Sequence, residues 1–154
     1  HFRGAKKKIS EENVAKVYDF FKGHTFYMQK TFNEAFADTS VNEECSGEKI
    51  KAAISVLVDS YDTIFREILS NVPEKQKELL YAIAIDGEAS SITSSAFIRR
   101  HRLSSASSVQ SAVKKLLEKD LVTISHKVYS ISDRFFALWL ATQMGPDDPL
   151  QSLV

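Results

Sequence analysis

A mainly α-helical chain that closes on one small β-hairpin is what the sequence predicts. Three observations predict it. Apolar residues recur at i, i+3, i+4 and i+7 through most of the chain before Leu121. Ser, Gly and Pro stand where these segments start and stop, at Ser10, Gly23, Pro73, Gly87 and Ser105. The period changes to strand-like alternation only in Leu121-Val122-Thr123-Ile124 and Val128-Tyr129-Ser130-Ile131, with Ser125-His126-Lys127 between them.

Taken in order, Ser10 caps the first helix, and Glu11 and Glu12 in its first turn meet the positive end of the helix dipole. Val14, Val17, Tyr18 and Phe21 give it one apolar face, and Gly23 ends it. A second helix runs from near Thr25 to about Ala37 on Met28, Phe32, Ala35 and Phe36. Asp38 to Ser46 is a polar loop. Gly47 to Asn71 reads as one continuous helix, stopped by Val72-Pro73 because a residue before proline resists the helical region. Pro73 suits the first position of the next helix, which buries Leu79, Leu80, Ile83 and Ala84 and stops by Gly87.

Ser94 to Arg102 forms the following helix, with Ala96, Phe97 and Leu103 facing inward. Leu103-Ser104-Ser105 is a turn, and a helix capped by Ser104 or Ser105 runs to about Lys119 over Val109, Val113, Leu116 and Leu117. After the hairpin, Ser132 or Asp133 caps a last helix held by Phe135, Phe136, Leu138, Trp139 and Leu140. Helix, turn, helix, hairpin, helix is the order of a winged helix-turn-helix. The expected organisation is a helical subdomain over 1–72, a winged-helix domain over 73–144, and a tail over 145–154 with little to bury.

Composition limits the function classes. With 154 residues and 44% hydrophobic side chains the chain can bury a core. Twenty basic and twenty acidic residues exclude a polycation that binds nucleic acid over its whole surface. A local basic face is allowed, since Glu74 to Leu140 holds ten basic and seven acidic side chains. Cys45 is the only cysteine, which rules out an internal disulfide and fits a reducing cytoplasm. The basic start, His1 to Lys8, lacks the apolar stretch of a signal peptide, and its first residue, His1 rather than Met, reads as a cut. Phe2 has no evident partner. The longest apolar run, Phe135 to Ala141, is too short to span a bilayer, so no membrane partner is expected.

No catalytic centre or metal site assembles from the residues. G-x-S-x-G is absent, and neither His101 nor His126 has an acid at i+3 or i+4. The surface with binding chemistry is the helix after Ser105. Its outer face carries Ser107, Ser108, Gln110, Ser111, Lys114 and Lys115, groups that bond to base edges and phosphates. Arg99, Arg100 and Arg102 before it, and His126 and Lys127 in the wing tip, would grip backbone phosphates of double-stranded DNA. The other use of such a module is docking on a partner protein.

Two stretches carry a family resemblance. Phe2-Arg3-Gly4 followed by SEENVAKVYDFFKGHTFYMQ looks like the helical lid of archaeal-type ATPases of the AAA/STAND group, where Gly-His-Pro-aromatic opens a helix. Here it reads Gly23-His24-Thr25-Phe26, with Thr25 in place of the proline. The end of the winged part resembles the family's Tyr-x-x-x-Asp-x-aromatic-x-x-x-Trp close, through Tyr129, Asp133, Phe135 and Trp139. The resemblance implies a C-terminal regulatory piece whose parent protein is an ATP hydrolase using ATP and magnesium, with an upstream nucleotide-binding domain as partner. It implies a nucleotide-sensing role for Gly23, His24 and Tyr27. The residues alone leave His24 open between that role and a solvent-facing helix start. No G-x-x-x-x-G-K-[ST] occurs, so the piece itself is expected to hold no cofactor and hydrolyse no ATP. The expected function is a winged helix that binds DNA or a partner protein in response to nucleotide state. The alternatives are a free-standing winged-helix transcription regulator and a protein-docking module.

Overall fold

The computed structural model describes residues 2–154. The chain divides into two units, one of residues up to Tyr61 with Asp148–Val154, the other of Asp62–Asp147.

In the first unit, β1 (Lys8–Ile9) leads into α1 (Glu11–Phe20), α2 (Thr25–Asp38), β2 (Glu44–Cys45) and α3 (Gly47–Ser60), and the 3-10 turn Gln151–Leu153 completes it. β1 and β2 pair in parallel, Lys8 opposite Glu44 and Ile9 opposite Cys45. Ser10 caps α1 by accepting from the Asn13 amide at 3.1 Å, and the Asn13 side chain donates to the Cys45 carbonyl at 3.0 Å. Val17, Phe21, Ala35, Cys45, Ile50 and Ile54 are buried.

Three expectations are corrected in this unit. Val14 and Tyr18 are 38% and 55% exposed, so α1 buries a narrower stripe than its apolar face suggests. Phe2 does have a partner, the Phe36 ring, edge-on at 5.3 Å. The segment after Asp147 is not a loose tail, because Leu150 and Leu153 are buried as the 3-10 turn packs on α1 and α3. Lys51 holds Asp148 at 2.5 Å beside it.

The expected single helix over 47–71 is broken. Tyr61 leaves helical geometry at φ −96° and ψ 3°. Beside the break, Ser60 donates back to the Leu57 carbonyl at 2.6 Å. Asp62 starts the next helix and accepts a bond from the Trp139 indole at 2.8 Å. Apolar spacing continues across the break, so periodicity does not register it.

The second unit contains α4 (Asp62–Ser70), α5 (Glu74–Asp86), α6 (Ser95–Arg100), α7 (Ala106–Glu118), β3 (Val122–Ser125), β4 (Val128–Ile131) and α8 (Arg134–Met144). It is mainly helical with a winged helix-turn-helix order. α4 belongs to this unit. Its Phe65 ring lies 5.1 Å from that of Phe136 and 5.9 Å from that of Trp139. Pro73 stands one residue before α5, as its cap, and Gly87 closes that helix at φ 74°. Ala89 exchanges backbone bonds of 2.9 and 2.8 Å with Tyr129, so the segment after α5 adds a one-residue third strand to the hairpin. Leu79, Leu80, Ile83, Phe97, Val109, Leu116, Val122 and Ile131 fill the core between helices and sheet. α6 is shorter than expected, and Ala96 is exposed, with the neighbouring Phe97 taking the buried position in that turn. Leu103 is half-buried. Asp133 caps α8, accepting from Phe135 and Phe136 amides at 2.9 and 3.1 Å.

Candidate nucleic-acid interface

α7 is placed by its two ends. Ser105, extended at φ −160°, accepts the Ser108 amide at 3.2 Å and starts the helix. Asp120 in left-handed geometry at φ 56° ends it, and the Leu121 amide returns to the Leu116 carbonyl at 3.0 Å. Between these ends Val109, Ala112, Val113 and Leu116 are buried, which commits the opposite face to solvent. Ser107, Gln110, Ser111, Lys114 and Lys115 are exposed there, while Ser108 is only half-exposed. No acidic side chain occurs on α7 before Glu118.

The cations differ in availability. Lys115 pairs with Glu118 at 3.2 Å. Arg100 pairs with Asp86 and lies over the Phe97 ring at 5.6 Å. Arg99 makes one long bond, 3.4 Å, to the Ser95 carbonyl. Arg102, Lys114 and Lys127 are exposed and make no side-chain ion pair among the described residues. The free cations therefore come from three elements: the α6–α7 turn, α7 and the wing.

The wing turns through two left-handed residues, His126 at φ 49° and Lys127 at φ 63°, between Ser125 and Val128. Two such residues in a row make the type I′ turn that matches strand twist. His126 Nδ1 lies 3.1 Å from the Ser125 hydroxyl. A groove of about 540 Å³ opens between α7 and the wing. α7 contributes Gln110 and Val113, and the segment after the third strand contributes Ser90, Ser91, Ile92 and Thr93. The wing contributes Ile124, His126, Lys127 and Tyr129.

A family model described as a probable winged helix domain matches residues 63–142. The chain belongs to this family. No curated protein and no solved structure matches it. The matched residues lie within the second unit, so the winged helix domain contains α7, the wing, the groove and the free cations together.

Sequence reasoning found the winged helix domain's polar face but missed two features. It found no acid to orient His101, because Asp86 lies on a different helix. Asp86 Oδ1 is in fact 3.0 Å from His101 Nε2, whose ring packs 4.6 Å from Phe97. It also did not mark Ile124, which alternation places beside the core but which is 49% exposed at the groove.

Gly23, His24 and Tyr27 are brought together at the α1–α2 corner of the first unit. Gly23 is left-handed at φ 72°, and a Cβ there would press on the Tyr18 phenol at 3.1 Å. His24 is the exposed cap residue of α2 and makes no capping bond with its side chain. Its ring stands 6.3 Å from that of Tyr27, which stacks on Phe21 at 5.7 Å. Among the described residues, no group of three or more His, Cys, Asp or Glu is placed to hold a metal ion. No helix among the described residues is long and apolar enough to cross a membrane.

Proposed function

We propose that the winged helix domain binds duplex DNA, with the outer face of α7 in the major groove. One observation carries this reading. The exposed face of α7 offers hydroxyl, amide and ammonium groups, with no acid before Glu118. These groups bond to base edges and phosphates alike. Arg102, Lys114 and Lys127 supply backbone contacts, with Arg99 behind them. Four such contacts make affinity fall about 100-fold between 50 and 200 mM salt.

Anisotropy titration of a mixed-sequence duplex at low salt tests the reading. The paired change Arg102→Glu with Lys114→Glu should remove binding while the helical circular dichroism stays. Both side chains are exposed and unpaired, so the fold does not need them. If the double variant binds as the parent does, the DNA reading fails and docking on a partner protein replaces it.

We further infer that this domain reports the state of an upstream P-loop ATPase domain. The support is the resemblance through Gly23-His24 and through Tyr129, Asp133, Phe135 and Trp139. In that arrangement Gly23, His24 and Tyr27 face bound ATP–magnesium, and α7 is the output. The test is the coding sequence immediately upstream: a G-x-x-x-x-G-K-[ST] after a strand supports the inference. Its absence leaves a free-standing winged-helix regulator.

A further inference from the structure

We propose that the seat of the C-terminal segment on the first unit accepts the same segment from a second copy of this chain, giving a strap-exchanged dimer. Such exchange is independent of DNA binding.

The seat is built for a peptide, and the chain's own last residues fill it. Leu150 and Leu153 are 6% and 1% exposed where the 3-10 turn packs on α1 and α3. Asp148 pairs with Lys51 of α3 at 2.5 Å and accepts the Leu150 amide at 3.0 Å. The Lys51 bond, and after it the Leu150 amide, hold the Asp148 carboxyl below the usual carboxylate range. Backbone fits as closely as side chains. The Leu153 carbonyl oxygen passes so near Gly47 that a Cβ there would lie 2.3 Å from it. One acid, two leucines and a backbone path cleared by glycine make the seat specific for Asp-Pro-Leu-x-x-Leu.

The segment is also attached so that it can leave. Gly145, Pro146 and Asp147 separate it from α8. Pro146 and Asp147 are exposed and make no hydrogen bond among the described residues. Lifting the strap therefore breaks contacts in the seat and none at these two residues. A lifted strap exposes two leucines and opens an apolar seat to water, which is unfavourable until the seat is refilled. In a lone chain its own strap refills it. At high concentration a second copy presents an identical strap, and exchange repeats every seat contact. Two such exchanges close a symmetric dimer, each chain keeping its own winged helix domain.

An equimolar mixture of two full-length variants tests the exchange. Lys51→Asp and Asp148→Lys each set like charges face to face within one chain. Opposite charges meet in the mixture only when each chain seats the other's strap. Native mass spectrometry after overnight incubation should show heterodimer about tenfold above either homodimer, since two exposed ion pairs are regained. Asp147→Lys carries the same charge change just outside the seat, so its mixture with Lys51→Asp should show no such excess. A labelled peptide of residues 146–154 gives a second readout on the parent chain. It should bind saturably in anisotropy, and the same peptide with Leu150→Asp and Leu153→Asp should not. If the two mixtures hold equal heterodimer, there is no exchange. If both peptides bind alike, or neither binds, the seat does not open to a strap from outside.

Discussion

Asp62 does three things at once: it opens α4, it accepts the Trp139 indole N–H at 2.8 Å, and it pairs with Arg66 at 2.8 Å. The Arg66 bond, and after it the indole bond, hold its carboxyl below the usual carboxylate range. A carboxyl depressed in the folded state adds stability above its unfolded pKa of about 3.9. That contribution is lost as pH falls through the lower folded value. Asp62→Asn should therefore cost stability at neutral pH and flatten the acid limb, as read from urea midpoints between about pH 2 and pH 7. A variant that tracks the parent over the whole range would show that the carboxylate's charge is idle. Legibility in the sequence at this scale followed distance along the chain. Ser10, Ser105 and Asp133 could be read as caps because a cap acts within three residues. Asp62 with Trp139 and Asp86 with His101 could not, since each pair joins separate helices.

The wing is strained for a reason that its composition makes testable. Type I′ turns favour Asn-Gly, and here His126-Lys127 fills both left-handed positions. A left-handed non-glycine residue costs about 1–2 kcal/mol. Replacing the pair, His126→Asn with Lys127→Gly, should stabilise the hairpin by about 1 kcal/mol in thermal unfolding and weaken duplex binding in the same protein. Gain of both stability and affinity would mean that Lys127 contacts nothing in the complex. The elements themselves were legible where periodicity and punctuation agreed. α5, α7 and the hairpin lie within a few residues of their expected bounds, because Gly87, Ser105 and the change of period mark them. The break at Tyr61 was not legible, because Ile64, Phe65 and Ile68 continue the apolar spacing of α3. The one-residue third strand at Ala89 has no pattern of its own, only a partner in Tyr129.

At the scale of the whole chain, a long-range constraint sits at Gly47. A Cβ there would lie 2.3 Å from the carbonyl oxygen of Leu153, so backbone has to shift to admit it. Gly47→Ala should cost about 1–3 kcal/mol in chemical denaturation, although alanine normally favours a helix. A neutral or stabilising change would mean that the 3-10 turn does not press on α3. The sequence showed Gly47 only as a helix start and 145–154 only as a tail, since a contact between residues a hundred positions apart leaves no local signal. That contact also has a consequence for synthesis. The first unit is made of two pieces with the second unit between them. Domains usually fold in the order in which they leave the ribosome, at about 5–20 residues per second. Here the helices made first wait on the order of 4–17 s while residues 62–147 emerge. Leu150 and Leu153 then arrive to close their core. The winged helix is thus the first unit of this chain able to finish folding, although it begins second.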